Sequence, residues 1–130
     1  MIVVDASVVL ATLTGDNEDG DRARARLRGE HLAAPELVDI EVLSVLRRDH
    51  LRDSIARRRA EQAIADLADL PIDRLSHGSF LARCWELRDN LTAYDAVYVA
   101  VAESLQATLV TGDRRLSKAP GLLCAVEVLE

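Results

Sequence analysis

Four acidic residues occupy places where a carboxylate is either costly or well aimed. Asp5 follows the apolar run Ile2-Val3-Val4, and Asp113 closely follows the run that ends at Val110-Thr111. Glu41 lies inside Leu37-Val38-Asp39-Ile40-Glu41-Val42-Leu43-Ser44-Val45-Leu46, a helical pattern apolar on most of its circumference and therefore expected to be largely buried. Asp95 lies inside the equally apolar Ala93-Tyr94-Asp95-Ala96-Val97-Tyr98-Val99-Ala100. An ionised carboxylate buried without a partner is strongly disfavoured unless it protonates. Neither helix carries a cation three or four residues away, so compensation must come from elsewhere. If the four acids converge, their oxygens, with no His or Cys among them, suit a hard ion such as Mg²⁺ or Mn²⁺. One or two such ions can activate a water, shield a phosphodiester and stabilise its leaving oxygen. The chemistry implied is metal-assisted phosphodiester hydrolysis without a protein nucleophile.

Each acid also has an ordinary structural use. Asp5 can cap the helix after it. Asp95, three residues after Thr92, can complete a capping box at the positive end of its helix. Asp113 in Thr-Gly-Asp-Arg-Arg can be a turn residue, and Glu41 can pair with a distant Arg or share an exposed stripe with Arg48. Taken singly these uses suffice. Taken together, two acids at strand ends and two on apolar helices call for a shared purpose.

The elements that must position them alternate along the chain. Short strands are expected at Ile2–Val4, His31–Ala34, Ile72–Leu75, Thr108–Thr111 and Cys124–Val128. A polar turn is expected over 14–20, and a short helical turn over 113–118. Helices are expected over 6–13, from that turn to Gly29, and over 36–51, 54–70, 79–89 and 92–105. This alternation predicts an α/β fold, with a short parallel sheet covered by helices on both faces. In such folds, sites form at the carboxyl ends of strands, which is where Asp5 and Asp113 fall.

Composition bounds the rest. The 130 residues, 49% of them hydrophobic and 29% charged, suit one globular domain over 1–130. The net charge of -6 and an aromatic content of 3% argue against a broad basic face or a base-stacking platform. Bound divalent ions would nonetheless reverse the local sign at an acidic pocket. Cys84 and Cys124 are far apart, without a C-x-x-C pair, so two buried reduced thiols in a cytoplasmic protein are expected. The apolar start carries Asp5 and lacks a basic leader, and no uncharged run is long enough for a bilayer.

The sequence resembles PIN-domain ribonucleases, and most closely VapC-type toxins of bacterial toxin–antitoxin pairs. The resemblance rests on Val3-Val4-Asp5-Ala6-Ser7, on the segment from Ala34 to Leu43, on Leu91 to Ala100, and on Leu109 to Leu116. It implies a three-layer α/β/α fold, Mg²⁺- or Mn²⁺-dependent endonucleolytic cleavage of RNA with one or two ions per site, and inhibition by a small VapB-like antitoxin. It also implies a homodimer. By position, Asp5 and Asp95 match metal ligands, Asp113 assists at a second ion or through water, and Glu41 orients or deprotonates the attacking water. Ser7 and Thr111 are supporting hydroxyls. Arg114 and Arg115 are candidate phosphate contacts, with Arg47 and Arg48 as weaker ones. Two rivals are a catalytically inactive PIN-like interaction module and a phosphoacceptor receiver-like domain, the latter lacking adjacent acids after the first strand.

Overall fold

The computed structural model describes residues 1–130. Five strands, β1 (Ile2–Val4), β2 (Leu32–Pro35), β3 (Ile72–Leu75), β4 (Thr108–Thr111) and β5 (Val126–Val128), form one sheet in the order β3-β2-β1-β4-β5. Every neighbouring pair is parallel. The helices are α1 (Ala6–Thr14), α2 (Glu18–Leu27), α3 (Leu37–Leu51), α4 (Arg57–Asp69), α5 (Leu81–Glu86), α6 (Ala93–Leu105) and the short α7 (Arg114–Ser117). Helices α1 to α4 pack among themselves, while α5 packs on α6, and α6 on β1, β2 and β4. This division follows from right-handed crossovers that step from β1 to β3 and then return past β1 to β4. The order differs from the 2-1-3-4-5 arrangement of receiver-like domains, which removes that rival.

The reversal of direction between β1 and β4 creates a crevice beyond their carboxyl ends. Val3, Val4, Leu109 and Val110 are fully covered there, so the two central strands are held from both faces. The register pairs Val4 with Val110, which sets the next residues, Asp5 and Thr111, side by side. The backbone N–H of Asp5 donates to the Val110 carbonyl at 3.3 Å.

Several boundaries differ from the sequence expectation. The region expected as a turn up to Gly20 contains the first residues of α2, because Asn17 caps the Asp19 N–H at 3.1 Å and Glu18, Asp19 and Asp21 favour its positive end. That helix folds back on α1 through two glycines, for a Cβ on Gly20 would stand 2.2 Å from the Gly15 carbonyl oxygen. Helix α4 begins at Arg57 rather than Ser54, since Asp53 turns the chain with φ of 58°. The expected helix over 79–89 divides into a 3-10 turn, Gly78–Phe80, and α5. The last strand begins at Val126 rather than Cys124, and Cys84 and Cys124 are free and half-buried rather than buried. No helix is long and apolar enough to cross a membrane.

Helix α3 also departs from its expected burial. Val38, Val42 and Leu46 form its inner stripe, but Ile40 is 63% exposed and Leu43 is 44% exposed. Only one face of α3 meets the sheet, and α4 leaves part of the other open. Glu41 is half-buried at the border of the two.

Candidate active site

The floor of the crevice is Asp5. As the cap of α1, it accepts the Val8 N–H on Oδ1 at 3.2 Å, and the Ser7 hydroxyl donates to the same oxygen at 2.6 Å. Its Oδ2 accepts the buried Thr111 hydroxyl. Ser7 reaches further, because its Oγ accepts the Gly112 N–H at 2.9 Å and so ties the end of β1 to the end of β4. A Cβ on Gly112 would lie 3.1 Å from that Oγ, so a glycine keeps the approach open. Both hydroxyls singled out in the sequence thus support Asp5 directly.

The walls bring the other three acids. Thr92 caps α6 by accepting the Asp95 N–H at 3.2 Å. Only this half of the expected capping box forms. Glu41 arrives from α3, where Tyr98 of α6 donates its hydroxyl to Oε1 at 2.5 Å. Tyr98 is 2% exposed. It is the main residue that sequence reasoning missed, although its position one turn after Asp95 places it on the same helical face. Asp113 caps α7 and receives Arg115, with Nη2 at 3.0 Å from Oδ2, Nε at 3.2 Å from Oδ1, and the Arg115 N–H at 2.9 Å from Oδ1.

The acids are linked in a chain of charge, Glu41 feeling Asp95 and Asp5, and Asp95 feeling Asp113. Burial raises the Asp5 carboxyl above its ordinary range, against the opposing bonds from Ser7, Thr111 and Val8. Burial also raises Glu41, and the charges of Asp95 and Asp5 add to the effect while Tyr98 opposes it. Asp95 is raised by burial and by Asp113, with Arg115 and Thr92 opposing. Asp113 alone is lowered, chiefly by its bond from Arg115. Tyr98 is pushed far up by burial first and then by Glu41, so it remains a donor.

The donor set fits a hard divalent ion. All four groups are carboxylates, and three of them lack sufficient positive charge nearby to restore an ordinary pKa. No three acidic side chains close tightly enough to enclose an ion by themselves. That arrangement suits Mg²⁺, which takes one or two carboxylates and fills its remaining positions with water and phosphate oxygens.

Two cavities flank the loop from Gly112 to Arg115. One, of about 490 Å³, is bordered by Asn90, Thr92, Asp95, Asp113, Arg115 and Lys118. The other, of about 350 Å³, is bordered by Ser7, Arg22, Gly112, Arg114 and Glu130. Arg114 pairs with Glu130 at 2.6 Å and is 70% exposed. Arg47 is exposed on α3, and Arg48 makes only a long contact of 3.5 Å with Asp49.

Comparison with known proteins places the chain in a family. Residues 2–122 match the PIN domain, and the chain belongs to that family. It is 42% identical over 129 residues to Ribonuclease VapC9 of Mycobacterium tuberculosis, covering 99% of this chain and 98% of that protein. Its fold matches the crystal structure of Mycobacterium tuberculosis VapC20, a Sarcin-Ricin loop cleaving toxin, with a TM-score of 0.73 at 17% identity, covering 95% of this chain and 97% of that one. It also matches VapBC2 from Rickettsia felis bound to a promoter DNA fragment, with a TM-score of 0.70 at 14% identity over 100% of both chains.

Proposed function

We propose that this chain is a metal-dependent endoribonuclease toxin that hydrolyses RNA phosphodiester bonds and is restrained by a small VapB-like antitoxin. The reading is carried by the placement of Asp5, Glu41, Asp95 and Asp113, from four different elements, around the switch point of the sheet, with Glu41 feeling the charges of Asp5 and Asp95, and Asp95 that of Asp113. The 42% identity to Ribonuclease VapC9 supports RNA as the substrate. VapBC2 supports a VapB-like partner. Apolar surface for such a partner exists between α3 and α4, where Ile40, Leu43 and Ile64 border a groove of about 400 Å³.

Asp5 and Asp95 would hold Mg²⁺ or Mn²⁺, one or two ions, with Asp113 assisting at the open side. When bound, such an ion neutralises the acids, polarises the phosphodiester and makes water a better nucleophile. Glu41 accepts the proton of the attacking water. Tyr98 occupies only one oxygen of Glu41, leaving the other free for that proton. Ser7 and Thr111 hold Asp5 in one orientation, so its carboxylate need not reorganise during the reaction.

The test is cleavage of purified RNA with Mg²⁺ or Mn²⁺, with chelator, and by Asp95→Ala. Cleavage should require the metal and should disappear in Asp95→Ala while its far-UV circular dichroism stays native-like. Undiminished cleavage by that variant would remove Asp95 from the site, and undiminished cleavage in chelator would remove the metal.

A further inference from the structure

The acid row has one cation of its own. Arg115 grips Asp113 through Nη2 and Nε, at 3.0 and 3.2 Å, and its charge also reaches Asp95. With the Arg115 backbone N–H added, both oxygens of Asp113 carry donors. Asp95 differs, because that carboxylate takes no hydrogen bond from Arg115 and feels only its charge, with Thr92 as its hydrogen-bonding neighbour. An ion drawing on Asp113 must therefore take an oxygen that the guanidinium already occupies.

The Arg115 side chain is 90% exposed, so its pairing is held weakly and exchanges at little cost. It borders the 490 Å³ cavity together with Lys118 and Asn90, which gives the guanidinium room to turn away from Asp113. A planar guanidinium binds phosphate oxygens two at a time as readily as it binds a carboxylate. Arg114 lacks this opportunity, since it faces Glu130 and the opposite cavity.

We propose that Arg115 is a built-in counter-cation, which neutralises Asp113 while no divalent ion is bound, yields that carboxylate when one arrives, and then takes a phosphate of the RNA strand lying in the adjoining cavity. The inference rests on the metal-dependent ribonuclease reading. It adds that the positive charge at this end of the site is exchanged between two occupants. One residue thereby links metal loading to substrate grip.

The experiment compares wild type with Arg115→Gln in two measurements. The first is Mn²⁺ binding without RNA, followed by the electron paramagnetic resonance of free Mn²⁺. Removing the competing cation should tighten binding by about three- to tenfold. The second is affinity for a 2′-O-methyl RNA oligonucleotide, with Mn²⁺ and with chelator. Arg115→Gln should weaken binding in Mn²⁺ and lower the salt slope by about 0.7, but leave affinity in chelator unchanged. Equal or weaker Mn²⁺ binding by the variant overturns the counter-cation role. So does an RNA defect of the same size with and without Mn²⁺. If wild type binds Mn²⁺ and cleaves RNA in either case, the ribonuclease reading survives. If wild type neither binds Mn²⁺ nor cleaves RNA, both fall.

Discussion

The Tyr98 hydroxyl donates to Oε1 of Glu41 at 2.5 Å, joining α6 to α3 across the crevice that opens beyond the sheet. This bond opposes the rise that burial and the neighbouring acids impose on the Glu41 carboxyl. Removing it in Tyr98→Phe lets that carboxyl rise further. A base must be ionised to accept a proton, so the acidic limb of the pH–rate profile should move to higher pH. Turnover at neutral pH should fall by about tenfold, through weaker positioning of the base. An acidic limb at the same pH in both proteins would separate Tyr98 from the chemistry.

Burial of the Asp5 carboxylate carries a cost in stability. Its carboxyl is raised by burial, so the ionised form at neutral pH weakens the folded state relative to the unfolded chain. Asp5→Asn keeps an oxygen for the Val8 N–H and the Ser7 hydroxyl and removes the charge, at the cost of the acceptor for the Thr111 hydroxyl. In chelator this variant should melt higher than wild type, the relieved burial of charge outweighing the lost Thr111 bond, while losing RNA cleavage. Added Mn²⁺ should raise the melting temperature of wild type and not that of the variant. A variant that melts lower in chelator would contradict the assigned cost.

Away from the site, Glu103 on α6 fastens the second helical layer. Its carboxylate meets Arg83 at 2.7 and 3.0 Å and accepts the Leu123 N–H at 2.7 Å. The bond from Arg83 holds its carboxyl below the ordinary value of 4.5. A depressed carboxyl adds stability above its unfolded pKa and loses it as pH falls through the folded one. Glu103→Gln should therefore cost about 1–2 kcal/mol at pH 7. The gap from wild type should close in acid, below the ordinary glutamate range. Thermal melts of both proteins across pH would show this, and a gap that persists at the acid end would not fit.

Arg114, on the other side of the loop, is a candidate phosphate contact of a different kind. It is exposed and tied only to Glu130 at 2.6 Å. Arg114→Ala should weaken RNA binding with and without divalent ion alike, and lower the slope of log affinity against log salt by about 0.7. An unchanged slope would return Arg114 to the ordinary surface.

Much of this site is legible in the amino-acid order, because the signals involved are local. The runs before Asp5 and Asp113 show strand ends, and the helical spacing around Glu41 and Asp95 shows acids where apolar residues dominate. The same local signals misjudged α3, whose apolar pattern reports affinity for burial but not how much surface the fold has available to cover it. Ile40 and Leu43 stay exposed for that reason.

Contacts between distant segments were decided only by the tertiary structure. The Thr111 hydroxyl reaches Asp5 across 106 residues of sequence, and Tyr98 reaches Glu41 across 57. Periodicity extends about four residues, so it cannot pair such partners. The sheet register sets the first contact, and the meeting of α3 with α6 sets the second. The placement of Arg115 on Asp113 is different again. The two are near neighbours in sequence, yet only the turn into α7 decides that the largely exposed guanidinium folds back onto Asp113. Residue types and their order along the chain determined that carboxylates would gather at the strand ends. Strand order and helix packing determined which groups hold each one, and thus which are free to act.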